Sequence, residues 1–147
     1  MKSKLIIGWR EWAGLPDFGI AEIKAKIDTG AKTSALHAYR IKKVMREGKP
    51  WAEFYVHPVQ RHRRPEIKCT APVVDERQVK SSNGVVQTRL VVSALLELGP
   101  FAKKIELTLT NRDEMGFRLL IGRQALAKRY LVDSALSYGL GEPDNQI

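Results

Sequence analysis

The chain has little cysteine, few aromatic residues and no long apolar run. Cys69 is the one cysteine among 147 residues, so no intrachain disulfide can form, and a reducing compartment such as the cytoplasm is expected. The apolar run at residues 5–7 is far too short for a membrane span or a secretion signal, which argues against a membrane location. Aromatic residues make up only 7%, and no RNA-binding stacking motif occurs, which argues against nucleic acid as a partner.

Positive charge is what the chain has in excess. Lysine and arginine number 25 against 16 aspartate and glutamate residues. The formal net charge of +9 favours an acidic partner, be it nucleic acid, anionic lipid or an acidic peptide. The hydrophobic content of 44% is that of an ordinary globular protein, and 147 residues is a usual length for one domain. We therefore expect a single domain over residues 1–147 that folds without a disulfide or a metal.

Short segments with a period of two dominate the hydrophobic pattern. In residues 23–28, apolar residues alternate with lysine up to Asp28, which predicts a half-buried strand. Asn83 and Gly84 form a dipeptide that is typical of hairpin turns. A helix is predicted at residues 123–130, directly after Gly122. These signals predict an all-β fold, a small barrel or sandwich, with one short helix near the C-terminus. Further strands are predicted at residues 51–57, 85–92, 105–110 and 117–121.

The tetrapeptide Asp28-Thr29-Gly30-Ala31 is the candidate functional motif. It places a carboxylate at the end of a strand, before a tight turn. Gly30 permits unusual backbone angles and a close approach, Thr29 can hydrogen-bond across an interface, and Ala31 leaves room beside the carboxylate. Next to a second carboxylate, Asp28 would share one proton, so that one member is the base and the other the acid toward a water molecule. Taken alone, Asp-Thr-Gly also fits a solvated surface turn.

A second element lies downstream, at residues 119–123 (Leu-Leu-Ile-Gly-Arg), and leads into the predicted helix. With both elements in this order, the sequence resembles the retropepsin-like aspartic proteases, in which the later strand packs under the catalytic loop. The resemblance implies a retropepsin-like closed barrel with Asp28 as the catalytic carboxylate. It also implies a set of residues that support the catalytic loop: Thr29, Gly30, Ala31, Ile121, Gly122 and Arg123.

A closer resemblance is to a bacterial family named for ATP-dependent zinc proteases and often linked to ATP-grasp ligases. Three separated blocks carry it: residues 8–12 (Gly-Trp-Arg-Glu-Trp) with the nearby Leu15-Pro16, residues 23–37, and residues 121–123. The family name implies zinc and ATP. The link to ligases implies an ATP-grasp ligase as a possible partner.

The residues themselves do not support zinc or ATP. The chain has no His-Glu-x-x-His and no Gly-x-x-x-x-Gly-Lys-Ser/Thr phosphate loop. The arginines of the basic loop at residues 58–65 would repel a dication from the histidines on either side. We therefore predict no metal and no cofactor on this chain, and any ATP dependence would come from a ligase partner. The candidate ligands considered are His37, His57, His62 and Cys69.

The motif at Asp28 supplies only half of an aspartic protease site. Asp-Thr-Gly occurs once, and Asp133 in Val-Asp-Ser-Ala is a weak echo that lacks the glycine. A symmetric homodimer that brings one Asp28 from each chain to a two-fold axis would complete the pair. We predict an aspartic endopeptidase for acidic, glutamate-rich peptides, with the hairpin at residues 81–89 as a flap over the site. The predicted substrate-binding residues are Lys32, Thr33, Ser34 and Arg89.

Two other functions stay open at this point. A retropepsin-like module without turnover could bind and regulate an ATP-grasp ligase. A nucleic-acid binder could use residues 61–64 together with Lys42 and Lys43, and its affinity would then depend strongly on salt.

Overall fold

Strands make up nearly all of the regular structure. The computed structural model describes residues 4–59, 62–80, 83–111 and 116–141. Within these ranges there is one α-helix, α1 (Arg123–Leu126), and one 3-10 turn at Pro16–Phe18. The strands are β1 (Leu5–Ile7), β2 (Arg10–Leu15), β3 (Ile20–Asp28), β4 (Ser34–His37), β5 (Tyr39–Arg46), β6 (Lys49–Val56), β7 (Ile67–Lys80), β8 (Val86–Leu98), β9 (Phe101–Thr110), β10 (Leu119–Gly122) and β11 (Tyr130–Val132).

Six of these strands close into a barrel. Neighbouring strands follow the order β2, β3, β10, β4, β9, β8, and Gly14 of β2 pairs with Glu97 of β8 to complete the ring. Strands β7, β6 and β5 continue the sheet outward from β8, while β1 and β11 form a separate parallel pair. The all-β closed barrel with one short helix that the sequence predicts is therefore confirmed.

The period of two in the sequence places the core on one face of each barrel strand. In β3, Ile23, Ala25 and Ile27 are buried, whereas the lysines between them point outward. Burying an isoleucine side chain of this kind stabilises the fold by about 1.5–3 kcal/mol. The strand that carries Asp28 is thus anchored along its whole length, and Asp28 stands at the end of a rigid support.

Helix α1 is much shorter than the sequence predicts. The prediction covers residues 123–130, but α1 ends at Leu126, and Ala127 already has an extended backbone with ψ of 139°. Lys128 is in the left-handed region with φ of 74°, and Tyr130 begins β11, which pairs with β1. Pairing with a strand from the other end of the chain outweighs the local helix preference. Neither α1 nor any other described helix is long and apolar enough to cross a membrane.

A buried carboxylate fastens β2 to the segment after β11. Glu11 is fully buried. Its Oε2 accepts hydrogen bonds from the backbone N–H groups of Gly8 at 2.6 Å and Gly139 at 2.7 Å, and its Oε1 accepts from Leu140 at 3.0 Å. Backbone donors that are buried in this way need a partner, and here one side chain provides it for three of them.

Replacing this carboxylate by an amide is expected to destabilise the fold. In Glu11→Gln the new NH₂ group cannot accept, so at least one of the three backbone donors is left unsatisfied. The free energy of unfolding in urea should fall by about 1–3 kcal/mol. The matched control is Glu47→Gln in the exposed β5–β6 turn, which should change it by less than about 0.5 kcal/mol. If the two substitutions lower the free energy of unfolding equally, the hydrogen bonds of Glu11 do not stabilise the fold as proposed.

Candidate active site

The Asp28 loop lies between β3 and β4, and β10 runs between these two strands. β10 is parallel to β3, with Gly122 opposite Asp28, and antiparallel to β4. The loop closes as a tight turn in which Ala31 N–H donates to the Asp28 carbonyl at 3.2 Å. The resemblance predicts that the Ile-Gly-Arg strand packs under the catalytic loop, and Gly122 at the end of β10 does lie against the loop backbone at Ala31 and Thr33.

The Asp28 carboxylate is held on one side and open on the other. Its Oδ1 accepts a hydrogen bond from Gly30 N–H at 3.1 Å, which fixes the orientation of the side chain. Within the described ranges Oδ2 has no hydrogen-bond or ion-pair partner, and the residue is half-buried. An oriented carboxylate with one open oxygen is able to accept a proton from water or to share one with a second carboxylate.

Arg123 and the start of α1 hold the loop backbone. The Arg123 guanidinium donates through Nη1 to the carbonyl oxygens of Thr29 and Gly30, both at 3.2 Å. The backbone N–H of Arg123 donates to Ala31 O at 2.9 Å, and that of the next residue, Gln124, to Lys32 O at 3.1 Å. Four contacts thus tie the loop to the start of α1, and they bring four of the predicted support residues, Thr29, Gly30, Ala31 and Arg123, into one hydrogen-bonded unit.

The Ser34 hydroxyl already has a hydrogen-bond partner within this unit. It is 2% exposed, and its Oγ accepts the backbone N–H of Gly122 at 3.0 Å. The sequence assigns Ser34 to substrate, whereas the geometry gives its hydroxyl a contact with β10. The other predicted binding residues of the loop, Lys32 and Thr33, are exposed and half-buried, respectively. Their contact with a substrate stays a prediction.

Gly122 is required by the close approach of β10 to the Asp28 loop. A Cβ at this position would lie 2.5 Å from Thr33 O and 2.9 Å from Ala31 O, and both are backbone atoms that cannot move aside easily. Gly122→Ala is expected to lower the free energy of unfolding by about 2–3 kcal/mol, measured in urea. The control is Gly116→Ala, where a Cβ would meet nothing within 4 Å. If Gly122→Ala lowers the free energy of unfolding no more than Gly116→Ala does, the loop can relax around the added Cβ without cost.

An exposed apolar patch lies beside the loop. Ile6 and Leu131 are cross-strand partners in the β1–β11 pair and are 55% and 52% exposed. Leu131 also lines a cavity of about 570 Å³ together with Thr29 and Arg123 of the loop unit. We call Ile6 and Leu131 the terminal patch. Sequence reasoning missed it, because three consecutive apolar residues at positions 5–7 do not reveal which one faces outward.

The hairpin predicted as a flap is formed by β7 and β8. Lys80 pairs with Val86 at its end, and Gly84 has φ of +87° in the turn, while residues 81–82 lie outside the described ranges. Arg89 lies on β8 opposite Arg77 and is half-buried. The role of this hairpin as a flap and of Arg89 as a substrate contact stay predictions.

The residues considered for zinc do not form a metal site. No group of three or more histidine, cysteine, aspartate or glutamate side chains with metal-binding geometry occurs in the described part of the chain. The His57 ring stacks on Tyr39 with centroids 4.6 Å apart. Cys69 is buried, and burial raises the pKa of its thiol to about 12, so it remains a thiol that donates to Ile67 O. We derive no step through zinc.

Asp133 is engaged in a local turn. Its Oδ1 accepts the backbone N–H of Ala135 at 2.9 Å, and its own N–H donates to Ile7 O at 2.8 Å. The side chain is exposed after β11 and caps the turn there. This contact gives Asp133 a structural role within its own segment.

Comparison with known proteins places the chain among relatives of two kinds. A family model described as "Retropepsin-like aspartic endopeptidase RimB" matches residues 6–142. A "Probable alpha-L-glutamate ligase" from Shewanella halifaxensis is 45% identical over 143 residues, which are 97% of this chain and 31% of the relative. A protein of the same name from Desulfotalea psychrophila is 47% identical over 140 residues, 95% of this chain and 30% of the relative. The chain thus spans about a third of the length of these curated relatives.

A solved structure has the same fold. The crystal structure of a protein of unknown function from Legionella pneumophila matches with a TM-score of 0.79 and 32% sequence identity. The match covers 94% of this chain and 99% of the other. Together with the family match, the closed barrel confirms the fold that the sequence resemblance implies.

Proposed function

Since this chain belongs to the family of the retropepsin-like aspartic endopeptidase RimB, we propose that it is an aspartic-type peptidase in which Asp28 activates water. The observation that carries the proposal is the Asp28 carboxylate at the end of β3. Gly30 N–H orients it, Arg123 holds the loop around it, and Oδ2 is open within the described residues. This is the arrangement that an acid–base carboxylate needs, because a fixed side chain can meet a reacting proton in one geometry.

The proposed chemistry uses two Asp28 carboxylates that share one proton. The ionised member takes a proton from water as the oxygen attacks the peptide carbonyl carbon, and the protonated member gives its proton to the carbonyl oxygen. Collapse of the resulting diol breaks the C–N bond, and the leaving nitrogen receives a proton from the dyad.

The second carboxylate is proposed to come from a second copy of the chain. Asp-Thr-Gly occurs once in the sequence, and the site would be incomplete in one chain. The terminal patch adjoins the Asp28 loop through the cavity that Leu131 shares with Thr29 and Arg123. Burying this apolar surface against its own copy around a two-fold axis would bring the two loops together.

The proposed substrate is an acidic, glutamate-rich peptide. The net charge of +9 favours such a chain, and Lys32 is an exposed cation within the Asp28 loop. The curated relatives bear the name of a glutamate ligase, an enzyme that joins glutamate to another molecule. An ATP-grasp ligase is accordingly the proposed partner, and any need for ATP would belong to it.

A second candidate is a regulatory module without turnover. Two observations on the curated relatives favour it. Their name is that of a ligase, and a segment similar to this chain makes up about a third of each of them. A domain in that position could bind the glutamate chain or the ligase and leave hydrolysis to another protein.

Direct cleavage separates the two functions. The protein is incubated with a glutamate-rich peptide and, as a control of equal length, a glutamine-rich one, between about pH 3 and about pH 8. Mass spectrometry should find fragments of the acidic peptide only. Binding of the acidic peptide without fragments at any pH would overturn the peptidase proposal in favour of the regulatory module.

A further inference from the structure

The outer face of the β2–β3 hairpin carries cations in a row that leads to Asp28. In β3, Glu22, Lys24 and Lys26 alternate with buried residues, and Asp28 follows with the same parity. Arg10 of β2 pairs with Lys26 on this face. At about 3.3 Å per residue, Lys24 lies about 13 Å from Asp28 along the strand. A bound extended chain could reach both ends of the row.

Two aromatic rings and a hydrogen bond restrict the conformation of the Arg10 side chain. Its guanidinium carbon lies 4.7 Å from the Trp9 ring centroid and 4.9 Å from that of Tyr138, and its Nε donates to Ser137 Oγ at 3.2 Å. No carboxylate of the described residues pairs with it. Within the described residues the two terminal nitrogens therefore have no hydrogen-bond partner, and the side chain has already lost much of its conformational freedom, which suits binding of a carboxylate.

Trp9, Arg10 and Lys24 also line a cleft on this face. It measures about 810 Å³, and β2, β3, the segment before β10 and the loop after β6 contribute to it. Lys24 Nζ lies 5.3 Å from the centroid of the Trp12 ring, which stacks on Tyr138. We call this the β2–β3 cleft, and the lining residues that matter here are Trp9, Arg10, Trp12, Lys24, His62 and Phe117.

We infer that the β2–β3 cleft is a docking site for an acidic extended peptide, whose carboxylates bind to Arg10 and Lys24 at a distance from Asp28. The choice of an acidic peptide rests on the proposed function and on charge complementarity, since Arg10, Lys24 and Lys26 outnumber Glu22 on this face. The cleft would hold a long substrate several residues away from the bond that is cut. It therefore favours long acidic chains over short ones.

The aromatic rings do not make this cleft a nucleic-acid site. Single-stranded nucleic acid binds by stacking bases on open ring faces. Here Arg10 lies over Trp9 and Tyr138, and Lys24 over Trp12. A base would have to displace a cation that its own phosphates need.

The test is binding of a fluorescein-labelled peptide of about ten glutamates, long enough to span the row, by the full chain carrying Asp28→Asn so that no turnover occurs. Adding Arg10→Gln should raise the Kd about tenfold or more, and Lys24→Gln should raise it in the same direction. Lys24 makes no hydrogen bond within the described residues, so Lys24→Gln should leave the fold intact. It therefore tests the site even if Arg10→Gln fails to fold. The matched control is Arg46→Gln, another arginine over a ring, Trp51 at 5.1 Å, on the β5–β6 hairpin.

The outcomes separate this inference from the proposed function. Peptide binding that depends on Arg10 and Lys24, together with no cleavage by the chain that keeps Asp28, would support the docking site and overturn the peptidase proposal. Cleavage by the otherwise wild-type chain with the same KM in Arg10→Gln, together with unchanged peptide binding, would keep the peptidase and overturn the docking site. Tighter binding of an oligothymidylate of equal length than of the peptide would also overturn it.

Discussion

Asp28→Asn is expected to lower kcat for cleavage of a glutamate-rich peptide by at least about 10³-fold. The amide has nearly the same shape and can still accept the Gly30 N–H bond, so the loop should keep its geometry. What the substitution removes is the ability of this side chain to take and return a proton. The measurement is fragment release under saturating peptide, followed by mass spectrometry, with the urea unfolding curve as a check that the fold is intact.

Asp133→Asn is the matched control for this experiment. Asp133 lies in Val-Asp-Ser-Ala, the segment of this chain that weakly echoes the Asp28 tetrapeptide. Its Oδ1 accepts the Ala135 N–H in an exposed turn. The amide oxygen preserves this contact, and kcat should stay within about twofold of the unsubstituted protein. If Asp28→Asn cleaves as fast as Asp133→Asn, the catalytic carboxylate lies elsewhere and the assignment of Asp28 is wrong.

Leu131→Glu is expected to convert the proposed dimer into a monomer and to abolish the proposed cleavage at low protein concentration. Leu131 and its partner Ile6 are more than half exposed in the single chain, and a carboxylate at this place would be buried against the second copy. Such a charge should weaken association by about 100-fold or more. Sedimentation velocity over a concentration series measures the dimer, and activity over the same series should follow its population.

Met45→Glu provides the control, since Met45 is 63% exposed on β5 at the outer end of the nine-stranded sheet, whereas β1 and β11 form a separate pair. It should leave both the dimer and the activity unchanged.

Mixing adds a second check, because a dimer of one unsubstituted and one Asp28→Asn chain has a single ionisable Asp28. Excess Asp28→Asn chain should therefore inhibit the unsubstituted protein. Full activity of a monomer, or a Leu131→Glu protein that stays dimeric, would remove the terminal patch from the interface.

Local pattern in the sequence was sufficient for five of the strands, β3, β6, β8, β9 and β10, and for the order of the two site elements. The other strands were not predicted. The alternation before Asp28 predicts β3, and Asn83-Gly84 predicts the β7–β8 hairpin, because side-chain period and turn chemistry are properties of neighbouring residues. The resemblance carried by residues 119–123 then predicted that this later strand would pack under the Asp28 loop. Both expectations agree with the structure.

Contacts between distant residues decided the rest. Ser34 accepts the N–H of Gly122 across 88 positions, and Glu11 accepts that of Gly139 across 128, and no local pattern marks either pairing. The end of α1 was likewise set by β11 joining β1. The outward direction of Leu131 followed from that pairing, and so did the patch beside Asp28. The physical reason is that periodicity tells which residues share a face, whereas the neighbour that covers a face is chosen only when the whole chain closes on itself.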